Sequence, residues 1–239
     1  MFRLKNENMA IPVVLFAGLL WSFGPLVVRY MNQPELIPWQ YVFGRGLTIF
    51  IIINIYLFLD EGLEFIENYK NIGLSGIFGG IGLGIAMIAF IWSITHTTAA
   101  VTLLCLATMP FITALMAYFF LKETISLNVW ISIGLATLGI IIMALGNTSK
   151  GSLLGFIFGI LSSIGFSVFS VSLRWRKSTP KFTTVAVSGL FCVFVSSMII
   201  LMTDSQFLSS SHNQGMFGIH GTLVCMGLIL YSTGSKAIP

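Results

Sequence analysis

Charge is what this sequence has least of. Asp, Glu, Lys and Arg make up 8% of its 239 residues, against 56% hydrophobic ones. A soluble domain of this length needs a charged surface, so that class is excluded. A mean hydropathy of +0.95, spread over repeated long apolar runs, leaves an all-α, polytopic helical membrane protein. Cysteine is also sparse: Cys105, Cys192 and Cys225 all fall inside apolar runs, which argues against a disulfide framework and leaves each as small apolar filler. No Asp or Glu stands in the middle of an apolar run, since Glu123 and Asp204 are at run ends. The usual intramembrane carboxylate relay for protons is therefore missing from the runs. The sequence also lacks His-Glu-x-x-His, Gly-x-Ser-x-Gly and Cys-x-x-Cys motifs and any cluster of acidic metal ligands, so no enzyme, metal or cofactor is indicated. The net charge of +4 comes from basic residues in loops, which excludes a nucleic-acid surface.

What is present is a series of eight apolar runs, at roughly 10–31, 38–59, 72–94, 97–121, 127–146, 151–173, 182–203 and 215–232. Their short connections force neighbouring helices to run antiparallel. Arg3 and Lys5 precede the first run, but it continues through Val28 with no clear cleavage site, so it reads as a retained helix. With the N-terminus inside, the inner segments hold Arg3, Lys5, Lys70, Lys122, Arg174, Arg176, Lys177, Lys181 and Lys236. The outer side holds only Arg29 and Lys150, so both termini are expected in the cytoplasm, with the chain in the cell's inner membrane. Gly76, Gly80 and Gly84 share one side of the third run, and Gly151, Gly155, Gly159, Ser163 and Ser167 one side of the sixth. Such faces let helix backbones approach closely.

Arg45 is the one charge inside a span, about seven residues or roughly 10 Å from its outer end. A charge at that depth costs on the order of 1–3 kcal/mol and ordinarily has a partner or a task. A guanidinium fork suits a carboxylate or other anion; the alternatives are snorkelling outward or a bridge to a helix-end carbonyl or to Glu35. In the fourth run, Thr98, Thr102, Cys105, Met109, Thr113 and Met116 share one side, which suits a cavity wall. Pro110 in its middle predicts a kink that leaves the Leu106 carbonyl to a neighbouring helix, a side chain or water. Trp21, Trp92, Tyr118 and Tyr231 offer rings for a cavity or for interfacial anchoring. His96, His212 and His220 map to the outer side, where a loop histidine is ordinarily solvated; His96 is the candidate for coupling.

The two ends of the chain resemble each other. LFAGLLWSFGPLV from Leu15 can be laid on FIFGILSSIGFSV from Phe156, VFGRGL from Val42 on VAVSGL, and MIAFIWSITH from Met87 on MGLILYSTGS, at a nearly constant offset of about 140 residues. Gly46 thereby matches Gly189, Arg45 matches Ser188 and Trp92 matches Tyr231. Five helices separate the copies, so the second is inverted across the membrane, as in secondary transporters with a site between repeats. The domains expected are 1–146, with five helices, and 151–239, with three.

The run TTAAVTLLCLATMPFITALMAYFFLKETISLNVWISIGLATLGIIIMALG, with its small-residue start, mid-helix Pro, Leu-x-Glu ending and Gly-containing next helix, resembles the fourth and fifth helices of EamA-type transporters of the drug/metabolite transporter superfamily. The resemblance implies ten helices in two repeats of five, and movement of a small metabolite by alternating access, with export of amino acids or related compounds the common activity. It also implies that Trp21 borders a central cavity, that Arg45 stands where the family has an Arg, and that His96 replaces a more usual Lys. The candidate substrate residues are Trp21, Arg45, Trp92, Thr102, Met109, Thr113 and Tyr231. The partners expected are a small-molecule substrate and the lipid bilayer, with a homodimer left open and no nucleic acid. A membrane fragment or partner subunit that does not transport stays open as an alternative, and behind it a membrane-embedded enzyme. The pattern calls for two more helices, equivalent to Thr97–Gly146, so a truncated chain is expected unless a second subunit supplies that wall. Without them, Ser163, Ser167 and Ser188 are expected to face hydrocarbon.

Overall fold

A computed structural model describes residues 7–146 and 153–234. Arg3, Lys5, Lys150, Gly151 and Lys236 lie outside them. Eleven α-helices and no strand occur among the described residues. They are α1 (Glu7–Ser22), α2 (Gly24–Arg29), α3 (Pro38–Glu61), α4 (Phe65–Lys70), α5 (Gly73–His96), α6 (Ala99–Leu106), α7 (Met109–Leu121), α8 (Leu127–Gly146), α9 (Leu153–Trp175), α10 (Lys181–Met202) and α11 (Ser211–Gly234). Seven stretches are long and apolar enough to cross a membrane, α1 with α2, α3 with α4 and α6 with α7 each counting as one. The fifth run is helical throughout, as the 20-residue α8. Large apolar side chains point outward, among them Leu59, Phe120, Ile142 and Met202, each at least 70% exposed. That suits a hydrocarbon solvent and would be untenable in water.

Proline explains two of the breaks within these stretches. Pro110 is the second residue of α7, and the break falls at Ala107–Thr108. There a proline's missing N–H costs no helix bond. The carbonyl that the break opens to a neighbour is that of Cys105, which accepts from Ser163 Oγ of α9 at 2.7 Å and from Thr108 Oγ1 at 2.7 Å. The kink is as expected, with its neighbour's hydrogen bond one residue earlier than Leu106. Pro25 does the same in the first span: it is the second residue of α2, and the chain turns at Phe23. This break departs from the unbroken span expected over 10–31.

The described residues form two compact units. The first holds α1 to α4 with α10 and α11; α3 is its axis, packed by α10 and α11, and α11 also packs on α1 and α2. Glycine permits the α3–α10 contact: a Cβ on Gly46 would lie 3.1 Å from the Gly189 carbonyl oxygen, and one on Gly189 would lie 2.9 Å from that of Gly46. Without a hydrophobic drive between helices in lipid, such close backbone contact is what holds a pair together.

The second unit holds α5 to α9, with α9 packed along α5 and on both α6 and α7. Here Gly82 and Gly165 meet, a Cβ on Gly165 falling 2.6 Å from the Gly82 carbonyl oxygen. The small face of α9 lies against α6 and α7. Gly159 leaves room for Cys105, while Ser167 Oγ lies 3.2 Å from the Met109 carbonyl and 3.0 Å from Thr113 Oγ1. Ser163, Ser167 and Ser188 have no exposed surface and each is hydrogen-bonded, Ser188 to the Val185 carbonyl of its own helix at 2.7 Å. The expectation that they face hydrocarbon is therefore corrected. Glu123, after α7, pairs with Arg174 near the end of α9.

Candidate functional site

Three helices of the first unit converge on Gly44, Arg45 and Gly46. Gly44 faces α11, where an added Cβ would lie 2.7 Å from the ring of Phe217. Gly46 faces α10, where one would lie 2.8 Å from the Cys192 Cβ. Glycine on both sides lets α10 and α11 close on α3, and Arg45 between them is carried inside, 5% exposed. Glu35, its suggested partner in the preceding loop, is exposed.

One turn before Arg45, Tyr41 is wholly buried and stacks on Phe217, centroid to centroid 5.1 Å. Its hydroxyl is hydrogen-bonded to Nδ1 of His220. His220 is 3% exposed and lies well inside α11, so it is no solvated loop residue and that expectation is corrected. Gly24 makes room for its ring, since a Cβ there would lie 2.9 Å from Nε2. The next residue, Gly221, brings the α11 backbone against α3, an added Cβ falling 2.7 Å from Thr48 and 3.2 Å from the Arg45 carbonyl oxygen. Cys192 of α10 lies against Gly46, and Cys225 Sγ of α11 lies 3.9 Å from the Ile49 carbonyl, so both thiols meet α3 within about a turn of Arg45. A buried cluster of guanidinium, phenol and imidazole inside membrane spans is a functional-site candidate by its cost alone.

Trp21 and Tyr231 pair in the same unit, ring centroids 5.7 Å apart, and Trp21 Nε1 donates to the Val224 carbonyl at 3.4 Å. Both rings are half-buried.

The remaining candidates lie in the second unit. Trp92 stacks on His96 at 4.9 Å and touches Phe158 at 5.6 Å. His96 Nδ1 is 2.9 Å from the Trp92 carbonyl, which can only accept, so that nitrogen carries the hydrogen. Thr102 has no exposed surface and shares a 2.9 Å hydrogen bond with Ser93. Met109 and Thr113 are half-buried against α9. The side of hydroxyls and sulfurs is thus a packing seam between α6–α7 and α9, with Leu103, Ala107 and Tyr118 exposed opposite. Tyr41, His220 and the Gly24–Pro25 break are what sequence reasoning missed. For the break there was a signal, Pro25.

Three comparisons bear on this arrangement. The profile of the EamA-like transporter family matches residues 8–145. Two proteins of Helicobacter pylori, strains J99 and 26695, each called an uncharacterized transporter, are 24% and 23% identical over 231 residues, covering 92% of this chain and 75% of each relative. A solved crystal structure with 16% identity superposes with a TM-score of 0.58, covering 97% of this chain and 87% of that one, a likeness of fold alone.

Proposed function

Because the chain belongs to the EamA-like transporter family, we propose that this integral, multi-pass membrane transporter moves a small metabolite bearing a carboxylate or similar anionic group, with Arg45 as the recognition residue. The observation that carries this is the burial of Arg45 between two glycines at which α10 and α11 close on α3. Amino acids and related compounds fit such a site, with export by alternating access. Both termini lie in the cytoplasm and the chain sits in the inner membrane, on the strength of the Lys/Arg asymmetry.

Alternating access rests here on an inverted repeat, 1–146 against 151–239. Its support is the pattern of helix pairing. Gly46 and Gly189 are sequence counterparts, and they are in mutual contact. The partners of α1 and α11 by sequence are α9 and α5, and each pair packs within its own unit. Trp21 donates to the Val224 carbonyl in one pair, and its counterpart Ser162 donates to the Ala86 carbonyl at 2.9 Å in the other, one residue from the matching position. A shared ancestral helix pair explains this more simply than coincidence.

The test is thermal stability of the purified chain in detergent against a panel of amino acids and of mono- and dicarboxylates. A ligand at a hundredfold excess over its Kd stabilises by about 2.7 kcal/mol, a rise of several degrees. At least one carboxylate is expected to stabilise the wild type and not Arg45→Lys. The reading is overturned if none does, or if Arg45→Lys responds equally.

A further inference from the structure

We infer that His220 is the proton-coupling residue of this transporter, taking up one proton when an anion binds at Arg45. The inference rests on the Arg45 reading above. It starts from three groups that the fold brings together: Arg45 and Tyr41 one turn apart on α3, and His220 on α11 bonded through Nδ1 to the Tyr41 hydroxyl.

With no anion present, a proton on His220 would add a second positive charge beside the guanidinium in a buried space, which is strongly disfavoured. An anion on Arg45 removes that repulsion and adds an attraction, so anion and proton bind together or not at all. The hydrogen bonds change accordingly. In the cationic ring both nitrogens donate, so the Tyr41 oxygen must accept from Nδ1–H. Its own hydroxyl hydrogen is then released to donate to the anion one helical turn along. The proton comes from water on the side from which the anion enters, and it leaves His220 for water when the anion departs on the other side. A monocarboxylate then moves with no net charge.

Among the described residues, the ionisable neighbours of the imidazole are few. From α3, Tyr41 bonds to the imidazole with Arg45 one turn on; from α10, Cys192 lies against Gly46, and on α11 itself Cys225 Sγ lies 3.9 Å from the Ile49 carbonyl. The described side chains of α1 offer no acid or base, and Arg29 of α2, with Tyr30 after it, is exposed. His96, the coupling candidate from sequence, is in the other unit, stacked on Trp92.

The experiment measures the affinity of the full chain, purified in detergent, for the sodium salts of lactate, glutamate and alanine between pH 6 and 9. None of these carboxylates titrates in that range. In the wild type, affinity for whichever of them binds should fall as pH rises, approaching tenfold per unit. His220→Gln retains a polar partner for Tyr41 but cannot titrate, so it should bind with a pH-independent affinity. Tyr41→Phe tests the positioning role: it should bind about tenfold more weakly below pH 7 while staying folded. A wild-type affinity that depends on Arg45 but not on pH would overturn the coupling and leave the Arg45 reading intact. So would a His220→Gln profile that follows the wild type. Loss of Arg45 dependence would overturn both.

Discussion

The two units each bury a cluster of polar side chains, and the clusters differ in kind. In the second unit the groups are neutral, and they bond to one another or to backbone: Ser93 with Thr102, Thr113 with Ser167, Ser163 with the Cys105 carbonyl. Each hydrogen bond there satisfies a group that lipid cannot, so the cluster has a full structural explanation. In the first unit the cluster contains a permanent cation and a titratable ring, both buried within membrane-spanning helices. Packing alone does not call for a charge at that point, because its counterpart by sequence in α10 is a serine that bonds to its own helix. The two clusters therefore differ in charge, and on the reading proposed here the charged one serves the solute.

Substitutions in either unit can break or sharpen this contrast. The largest expected effect is structural. In Gly165→Ala the new Cβ would lie 2.6 Å from the Gly82 carbonyl oxygen and 2.8 Å from the Ala86 nitrogen, all backbone, and it should cost ~3 kcal/mol and most of the folded protein in the membrane. In Gly44→Ala the contact is the Phe217 ring, 2.7 Å away, which can yield only by disturbing its stack on Tyr41. We expect a loss of about 1–2 kcal/mol in detergent melting, together with a loss of carboxylate-induced stabilisation. Ser163→Ala removes one neutral hydrogen bond from the seam and should cost about 1 kcal/mol while leaving ligand response unchanged. Gly139→Ala is the smallest. Nothing lies within 4 Å of the added Cβ, so melting should move by less than ~1 kcal/mol, in the stabilising direction. A ligand response lost in Ser163→Ala, or kept in Gly44→Ala, would blur the contrast.

The spans were legible because long apolar runs admit little else, and their helices begin and end within a few residues of the expected bounds. The side of the fourth span holding Thr102, Cys105 and Thr113 was legible as a buried side by its period. What it is buried against was not, since a helix face records polarity and says nothing of whether a cavity or another helix meets it. Arg45 stood out because one charge in an apolar run is costly wherever the helix goes. His220 did not, because its partner Tyr41 is 179 residues away in sequence and only the crossing of α11 over α3 brings them together. Pro25 carried the same signal as Pro110, yet its break lies near the end of a span, where a proline reads as an ordinary helix boundary.

The central claim is that the charged cluster meets the solute and the neutral one does not. Uptake and counterflow of a stabilising carboxylate, in vesicles reconstituted with equal amounts of folded wild type, Arg45→Lys and Thr102→Val, test it most directly. Arg45→Lys keeps the charge and loses the planar fork, so its transport should fall by tenfold or more, while Thr102→Val should stay within about twofold of wild type. Transport by Arg45→Lys at the wild-type rate, or its loss in a well-folded Thr102→Val, would contradict the account.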